Sequence, residues 1–503
     1  MAVGDGSLSL LAVSAFPDWL RATHLLNVLF LTLLARSGLE ILSSFPKLYW
    51  DDHCAHGTEV LKLTRKPVPT GRLTIGLEEE ESWSPLLALP GRRNLGLGRH
   101  WHFAAVIAWI ATGAVYVVLL FAAGEWRRLV PSSWSIFPDA LDAALTYLSL
   151  DVPAPGEPYN GLQQLVYFSI VFGLAPLTIA SGAAMSPALI GRFPGFVRLF
   201  GGKQRARTIH FACLAGFVLF TVSHTALVAL HGLRGRLGEI LLGAADAEHA
   251  VAFALVVLAA IVALNVAATV GSLTRPRGAQ RALDVLVAPL QRVLSRALVS
   301  RQLYDRAEAS PRHRINGYPP KGDPYERLRT DSFASWQLEV GGLVERPLRL
   351  GLDDLRRLEP STQVVTHNCI QGWTGVAEWT GVPLARLLEL CGPLPAARFV
   401  VFHALDDKAD TPDKIEPGTG LFYETIELAV ARHPQALLAY EMNGEPLAVE
   451  HGAPLRLRLE NQLGFKMVKW LRAIELVDDV AQIGAGHGGW KEDHVYFGSS
   501  AAI

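Results

Sequence analysis

The chain has 503 residues, with 46 Lys and Arg against 47 Asp and Glu and a formal net charge of −1. Half of it is hydrophobic and only 18% is charged, below the roughly 25% of ordinary soluble proteins, so part of the chain belongs in a membrane. A balanced charge without a polybasic tract excludes nucleic acid as a partner and excludes an electrostatic membrane anchor.

Five stretches are apolar and long enough to cross a bilayer, near 19–44, 102–123, 161–184, 208–230 and 249–271, since about 20 such residues span the hydrocarbon. The last four contain no Lys, Arg, Asp or Glu, whereas the first carries Arg21, Arg36 and Glu40, the last two placed to pair at i, i+4. No basic segment with a cleavage site and no twin-arginine signal precedes the first stretch, which is expected to stay in the mature protein. Gly113, Gly173, Gly182 and Gly216 lie within spans and permit close helix approach, or room for a flat cofactor.

Inside these spans the histidines carry the chemistry. His210 and His224 share the fourth span fourteen residues apart, which returns to nearly the same helix face about 21 Å further along. Ionisable groups at membrane depth are costly and mark function. His24 opens the first span and His102 the second. If the spans alternate in direction, His102 and His210 fall at one depth and His24 and His224 at the other. A six-coordinate b-type haem needs two such facing imidazoles, so four histidines suit two haems. His100, His231 and His249 lack this depth matching, and His53, Cys54 and His56 read as a polar loop cluster. The motifs R-H-W-H-F at 99–103, A-R-T-I-H-F at 206–211 and Ser223-His224 resemble the di-haem cytochrome b subunits of formate dehydrogenases, nickel–iron hydrogenases and bacterial b561 proteins, over residues 18–235. That resemblance implies the same ligand pairing. The fifth span departs from the usual four and moves the C-terminal domain to the His102/His210 side.

Arg281 to Arg301 reads as an amphipathic helix resting on the membrane or on the next domain. From about Ser310 the pattern turns soluble and mixed. Trp336, Leu338 and Val340 alternate, 398–402 and 455–459 are apolar runs, and Pro383 suits the start of a short helix carrying Leu384, Leu387 and Leu388. The expected architecture is an N-terminal all-α transmembrane bundle of five spans over 1–275, a linker over 276–309, and a C-terminal mixed α+β domain over 310–503.

None of the four cysteines forms a C-x-x-C pair. Cys369 follows the run Val364-Val365-Thr366-His367-Asn368, so it is expected at a strand end, although a lone cysteine is more often an inert small hydrophobe. The segments Gln337 to Gly342, H-N-C-I-Q-G-W at 367–373, W-T-G-V-P-L at 379–384, Y-E-M-N-G-E-P-L at 440–447, H-G-A-P-L-R at 451–456 and G-F-K-M-V-K-W at 464–470 resemble the sulfite oxidase family of molybdenum enzymes. The resemblance implies a molybdopterin whose molybdenum is held by Cys369. It also implies cofactor contacts from Arg456, Lys466, Met467, Val468 and Lys469, with His451 and Asn316. Without it, the basic residues read as a solvated face. Ile370-Gln371 stand where sulfite-oxidising members carry arginines, which disfavours sulfite. His494 and Tyr496 follow Trp490 in slightly shifted register as proton or hydrogen-bond donors to a metal oxo group. His367 is a further candidate, although His367 and Tyr496 read equally as core residues.

These resemblances imply a membrane-bound molybdopterin oxidoreductase in a bacterial inner membrane, exchanging electrons with a quinone pool through two b haems and acting on a small S- or N-oxide or sulfur compound. The alternatives are an electron conduit or redox sensor whose pterin domain binds without turnover, and a haem-free helical scaffold. Loop charge, with eight Lys and Arg in 46–99 and five in 185–207 against two each in 124–160 and 231–248, puts the catalytic domain in the cytoplasm. A cytoplasmic N-terminus, usual in the cytochrome relatives, would put it outside.

Overall fold

A computed structural model describes residues 16–498 apart from 69–73, 150, 154–158, 245–247, 297–303, 412–418 and 461. Five helices have the length and apolarity to cross a membrane: α1 (Asp18–Ser43), α2 (Leu95–Ala122), α3 (Gly161–Ala183), α4 (Lys203–Leu230) and α5 (Ala250–Thr274). Their outward residues are apolar and exposed, as with Leu219 at 71% and Val256 at 64%, the surface expected where lipid is the solvent. Within α3, Ser169–Leu174 widens to a π-helical turn. The helices α2 and α4 begin a turn or more before their apolar windows because Arg99, Arg205 and Arg207 are helical too.

A further long helix, α6 (Pro276–Arg296), starts five residues ahead of the expected amphipathic stretch, with proline at its first position, where the missing N–H is no loss. Leu283 and Val287 are buried against Ala104, while Val285 and Val293 are exposed. Residues 297–301 of that stretch lie outside the described residues.

Two five-stranded sheets follow. The first has the order β2-β1-β10-β5-β6, built from β1 (Gln337–Gly342), β2 (Leu348–Gly351), β5 (Phe399–Asp407), β6 (Leu421–Glu427) and β10 (Leu471–Val477), with only β1 and β10 parallel. In the second, β3 (Ser361–Asn368), β4 (Thr374–Pro383), β7 (Leu437–Met442) and β8 (Glu445–Pro446) run in the order β8-β7-β4-β3, and β9 (Arg456–Arg458) also pairs with β7. The alternating residues Trp336, Leu338 and Val340 turn inward, as a two-residue period requires, to meet Leu384, Leu387 and Leu388 of α7 (Leu384–Cys391). All six are at most 2% exposed, and each buried apolar side chain contributes about 1.5–3 kcal/mol.

The chain forms two compact units. One comprises Met1–Ala35, Ala105–Thr178 and Ala212–Ala268; its described regular elements are all helices, and it holds His24 and His224. The other comprises Arg36–Ala104, Ile179–Phe211 and Thr269–Ile503; it contains both sheets, Cys369, His102 and His210. In this second unit the segment joining α1 to α2 is an integral part of the domain. Its buried Glu79 carboxylate accepts from Lys47 and from Arg314, each at 2.5 Å. Burying a charge is tolerated when it is paired in this way.

Candidate active site

Cys369 sits at the first position after β3, on the turn that leads into β4. Its N–H donates to Trp373 O at 3.0 Å, and Gly372 N–H donates back to Cys369 O at 3.1 Å. Gly372 has φ +120°, a backbone conformation that a side chain resists. The strand register pairs His367 with Gly375 and Asn368 with Thr374, which fixes the turn rigidly. The thiol is 3% exposed and faces a cavity of about 1110 Å³ including its open mouth. Asn316 Nδ2 lies 3.8 Å and Gln371 Oε1 3.7 Å from Sγ. Burial pushes the Cys369 thiol up to about 12, aided by Glu80 and opposed by the Gln371 N–H and by Lys203 and Lys491. The sulfur is therefore a thiol until a cation takes the place of its proton.

Deeper in the cavity, Arg456 and Lys469 lie close together, and the hydrogen bonds they make go to backbone carbonyls. Arg456 donates to His451 O at 2.9 Å and Lys469 to Glu450 O at 2.8 Å, both neutral carbonyls. Arg456 Nε is buried with no hydrogen-bond partner among the described residues. Burial, then the neighbouring Arg458, pulls the Arg456 guanidinium down to about 9, and burial with Arg456 holds the Lys469 ammonium well below its usual value. Crowded cations of this kind call for an anion, and a phosphate ester answers with charge-assisted hydrogen bonds. Gly452, at φ +110°, allows the fit: a Cβ there would meet Lys469 Cβ at 2.9 Å and Arg456 Cβ at 3.2 Å.

Above them, His313, His367 and His451 pack edge to face, 5.5–5.6 Å from ring centre to centre, with His313 in the middle. Burial holds all three imidazoles below their usual range, so they are neutral. His367 Nδ1 and His313 Nε2 have no hydrogen-bond partner among the described residues, an arrangement that costs ~1–3 kcal/mol per group unless a ligand answers it. Gly464 comes so close to His367 that a Cβ would lie 2.4 Å from Nε2. The thiol, the buried cations and the orphaned imidazole nitrogens fit a molybdopterin.

Of the expected site residues, Asn316, His367, Cys369, His451, Arg456, Met467 and Lys469 line this one cavity. Lys466 does not. Its ammonium is 1% exposed and points into the protein, pairing with Glu424 at 2.8 Å and with Glu492, and donating to Thr425 O and Gly488 O. Val468 also turns away, into the core beneath the first sheet.

Two of the three expected proton donors, His494 and Tyr496, likewise miss the cavity. The His494 ring stacks on Trp490 at 4.5 Å and donates to Trp490 O. Tyr496 lies under the Arg277 guanidinium at 4.8 Å. Helix α8 (Trp490–Val495) instead directs Lys491 into the cavity. Burial, then the nearby Lys408, draws the Lys491 ammonium down to about 7, against the opposing pull of Glu80. Glu80 comes from the segment between α1 and α2, accepts from Gln371 Nε2 at 2.6 Å, and has a carboxyl raised by burial. Reading residue by residue missed Lys491, which stands immediately after Trp490. It missed Glu80 entirely, and also Arg93, which lines the cavity and donates to Glu80 O at 3.2 Å, since nothing near them in sequence resembles a catalytic motif.

In the membrane part, His102 and His210 face each other with ring centres 6.3 Å apart, and His24 and His224 do so at 6.4 Å. An iron midway, at ~2 Å from each nitrogen and ~1.1 Å more to each ring centre, asks for about 6.2 Å. Both His102 and His210 stand seven residues from the start of their helices. His24 is six from the start of α1, and His224 six from the end of α4. In the first pair each Nδ1 meets a serine, Ser37 at 3.1 Å and Ser181 at 3.2 Å, which holds the ring and leaves Nε2 turned to the partner. A Cβ at Gly182 would stand 3.3 Å from the His210 ring. His224 Nδ1 lies 3.4 Å from Tyr167 Oη. Both pairs fit a bis-imidazole haem. No group of three or more His, Cys, Asp or Glu suited to a metal occurs among the described residues, and His53 and His56 engage Ser310 and Arg314 instead.

Comparison with known proteins agrees with both halves. Residues 325–483 match the oxidoreductase molybdopterin binding domain, and residues 15–242 match the prokaryotic cytochrome b561. The YedZ1 subunit ascribed to protein-methionine-sulfoxide reductase in Azospira oryzae is 33% identical over 177 residues, 35% of this chain and 60% of that one. The catalytic subunit MsrP of protein-methionine-sulfoxide reductase from Gluconobacter oxydans is 36% identical over 163 residues, 31% of this chain and 52% of that one. The chain thus spans little more than half the length of these relatives. The sulfane dehydrogenase SoxCD of Paracoccus pantotrophus aligns over 31% of this chain and 45% of its own at 24% identity, with a TM-score of 0.25, below the level of a shared overall fold. One polypeptide therefore joins a region that matches the prokaryotic cytochrome b561, within a part holding five helices long and apolar enough to cross a membrane, to a region that matches the oxidoreductase molybdopterin binding domain.

Proposed function

We propose that this protein is a membrane-bound molybdenum-cofactor oxidoreductase that reduces a small S- or N-oxide with electrons drawn from the quinone pool through two b haems. Methionine sulfoxide is the first substrate to test, because the relatives' names point to that chemistry. The observation that carries the reading is a single buried thiol on the wall of a cation-lined cavity, in the same compact unit as the His102/His210 pair. Cys369 would bind the metal, and Arg456 and Lys469 the pterin phosphate. His24, His102, His210 and His224 would ligate the haems.

When bound, the pterin-held molybdenum supplies two-electron oxygen-atom exchange. Reduction of a sulfoxide takes two electrons and two protons and releases the sulfide and water. The protein's part is to hold those protons and exclude others. Lys491 and Glu80 are two titratable groups on the cavity wall beside Cys369 that would carry protons, and Gln371 ties Glu80 to the Cys369 turn through its 2.6 Å and 3.7 Å contacts. Ile370, Phe465 and Phe497 make the adjoining wall apolar, which suits a neutral oxide better than a sulfite dianion.

We place the catalytic domain on the cytoplasmic face of a bacterial inner membrane, because Arg275, Arg277 and Arg281 follow the last span and add to the cations of the first and third loops. Cleavage after Arg275 by protease added outside right-side-out vesicles overturns this placement.

The test of function is one preparation of the full chain. We expect about two b haems and one molybdenum per chain, and reoxidation of quinol-reduced haem on addition of methionine sulfoxide. Stoichiometric molybdenum with haem that no S- or N-oxide reoxidises refutes turnover and favours an electron conduit or sensor. A colourless protein refutes the haem reading.

A further inference from the structure

The beginnings of α2 and α4 are alike: each carries an arginine three residues before its histidine, Arg99 before His102 and Arg207 before His210. Residues three apart lie on one helix face, one turn apart. Each arginine therefore stands between its imidazole and the helix end nearer the catalytic domain.

The two have different surroundings. Arg207 donates to Phe45 O and Lys47 O, each at 2.5 Å, so it serves the fold of the segment joining α1 to α2. Arg99 stacks over Phe103 at 5.1 Å and lines a small pocket with Gly96, His100, Gln291 and Ile370. Ile370 directly follows Cys369, and Gly96, Ile370, Phe465 and Phe497 line both this pocket and the Cys369 cavity. On the opposite helix, Lys203 donates to Asn368 Oδ1 at 3.1 Å and Gln204 to Gly372 O at 2.7 Å, gripping the Cys369 turn on either side. His210 is two helical turns, about 10.5 Å, from Lys203. The thiol turn and the imidazole pair are thus held by the same first turns of α4.

A haem carries two carboxylates on one edge, and placing a carboxylate at this depth requires a cation. We propose that the pocket at Arg99 is the site for a propionate of the haem held by His102 and His210, with Arg99 its anchor. Bound this way, the haem turns its carboxylate edge toward Ile370, making it the haem that exchanges electrons with the Cys369 centre. The inference rests on the two-haem reading above and adds the orientation of one of them.

A cation beside a haem favours the reduced, more negative state, so removing it lowers that haem's midpoint potential alone. The test is redox titration of the full chain in membranes, following haem absorption, for wild type, Arg99→Met and Arg99→Lys. In Arg99→Met we expect the reduction equilibrium of one haem to weaken about tenfold, equivalent to ~59 mV for a one-electron couple, with the other haem unmoved and Arg99→Lys close to wild type. Selective loss of one haem from Arg99→Met but not from Arg99→Lys also supports the assignment. Both haems retained at unchanged potentials in Arg99→Met, or both shifted equally, overturns it and leaves the two-haem reading standing. Wild type without two titrating haems refutes that reading instead.

Discussion

Lys466 and Lys469 stand three residues apart and look interchangeable as phosphate ligands, yet replacing each by methionine should have different consequences. Lys466 holds two buried carboxylates. Burial lowers its ammonium, but Glu424 and Glu492 more than reverse this, so its pKa ends above its usual value. Its stabilising contribution is therefore complete across pH 5–8 and is lost only as pH rises through that elevated value. Lys466→Met leaves Glu424 and Glu492 buried without a counter-charge, which costs about 3–5 kcal/mol. For a domain of some 190 residues this corresponds to roughly a 6–20 °C fall in Tm. Burial already raises both carboxyls with the lysine present, and removing the lysine raises them further. A carboxyl raised on folding stabilises at pH below its unfolded pKa and loses that contribution as pH climbs through its folded pKa. The Lys466→Met penalty should thus be larger at pH 8 than at pH 5. Lys469→Met removes one charge-assisted contact of about 1.5–3 kcal/mol to a cofactor phosphate; molybdenum occupancy should fall at least tenfold under dilution while Tm measured without cofactor holds or rises. The assay is thermal unfolding by tryptophan fluorescence at the two pH values, beside molybdenum analysis. A Lys466→Met protein of wild-type stability that has lost its molybdenum, or a pH trend of opposite sign, refutes this reasoning.

Cys369→Ser should keep both haem bands and lose molybdenum-dependent activity by at least 10³-fold, because an alkoxide is a poor substitute for a soft thiolate; activity within tenfold of wild type would remove Cys369 from the metal. His102→Leu and His24→Leu should each remove one haem of two, with pyridine haemochrome analysis giving about one per chain. A variant that keeps two would break the pairing. Lys491→Met should lower kcat by about 10²–10⁴-fold with little change in KM, the range for loss of a general acid, while Tyr496→Phe should change it less than threefold. The reverse result would return the proton to Tyr496.

The sequence alone determined the membrane spans and the pairing of His102 with His210 and of His24 with His224, because a bilayer demands long uncharged runs and a helix converts spacing into height. It also determined that Cys369 ends a strand, through the apolar run before it, and that Leu384, Leu387 and Leu388 face a core. Only the tertiary structure decided which polar side chains share the cavity. Lys466 and Lys469 leave a short turn, where three residues do not define a common face, and their fates are set by Glu424 on β6, Glu492 on α8 and Arg456 on β9. Glu80 and Arg93 join Cys369 in lining the cavity from nearly 300 residues away, in a segment with no regular period. Lys491, rather than the expected Tyr496, lines the cavity because α8 is a single short helix, and a shift of a few residues rotates a different side chain inward. Hydrophobic pattern is a local property of the chain, whereas the pairing of buried charges depends on which distant elements meet.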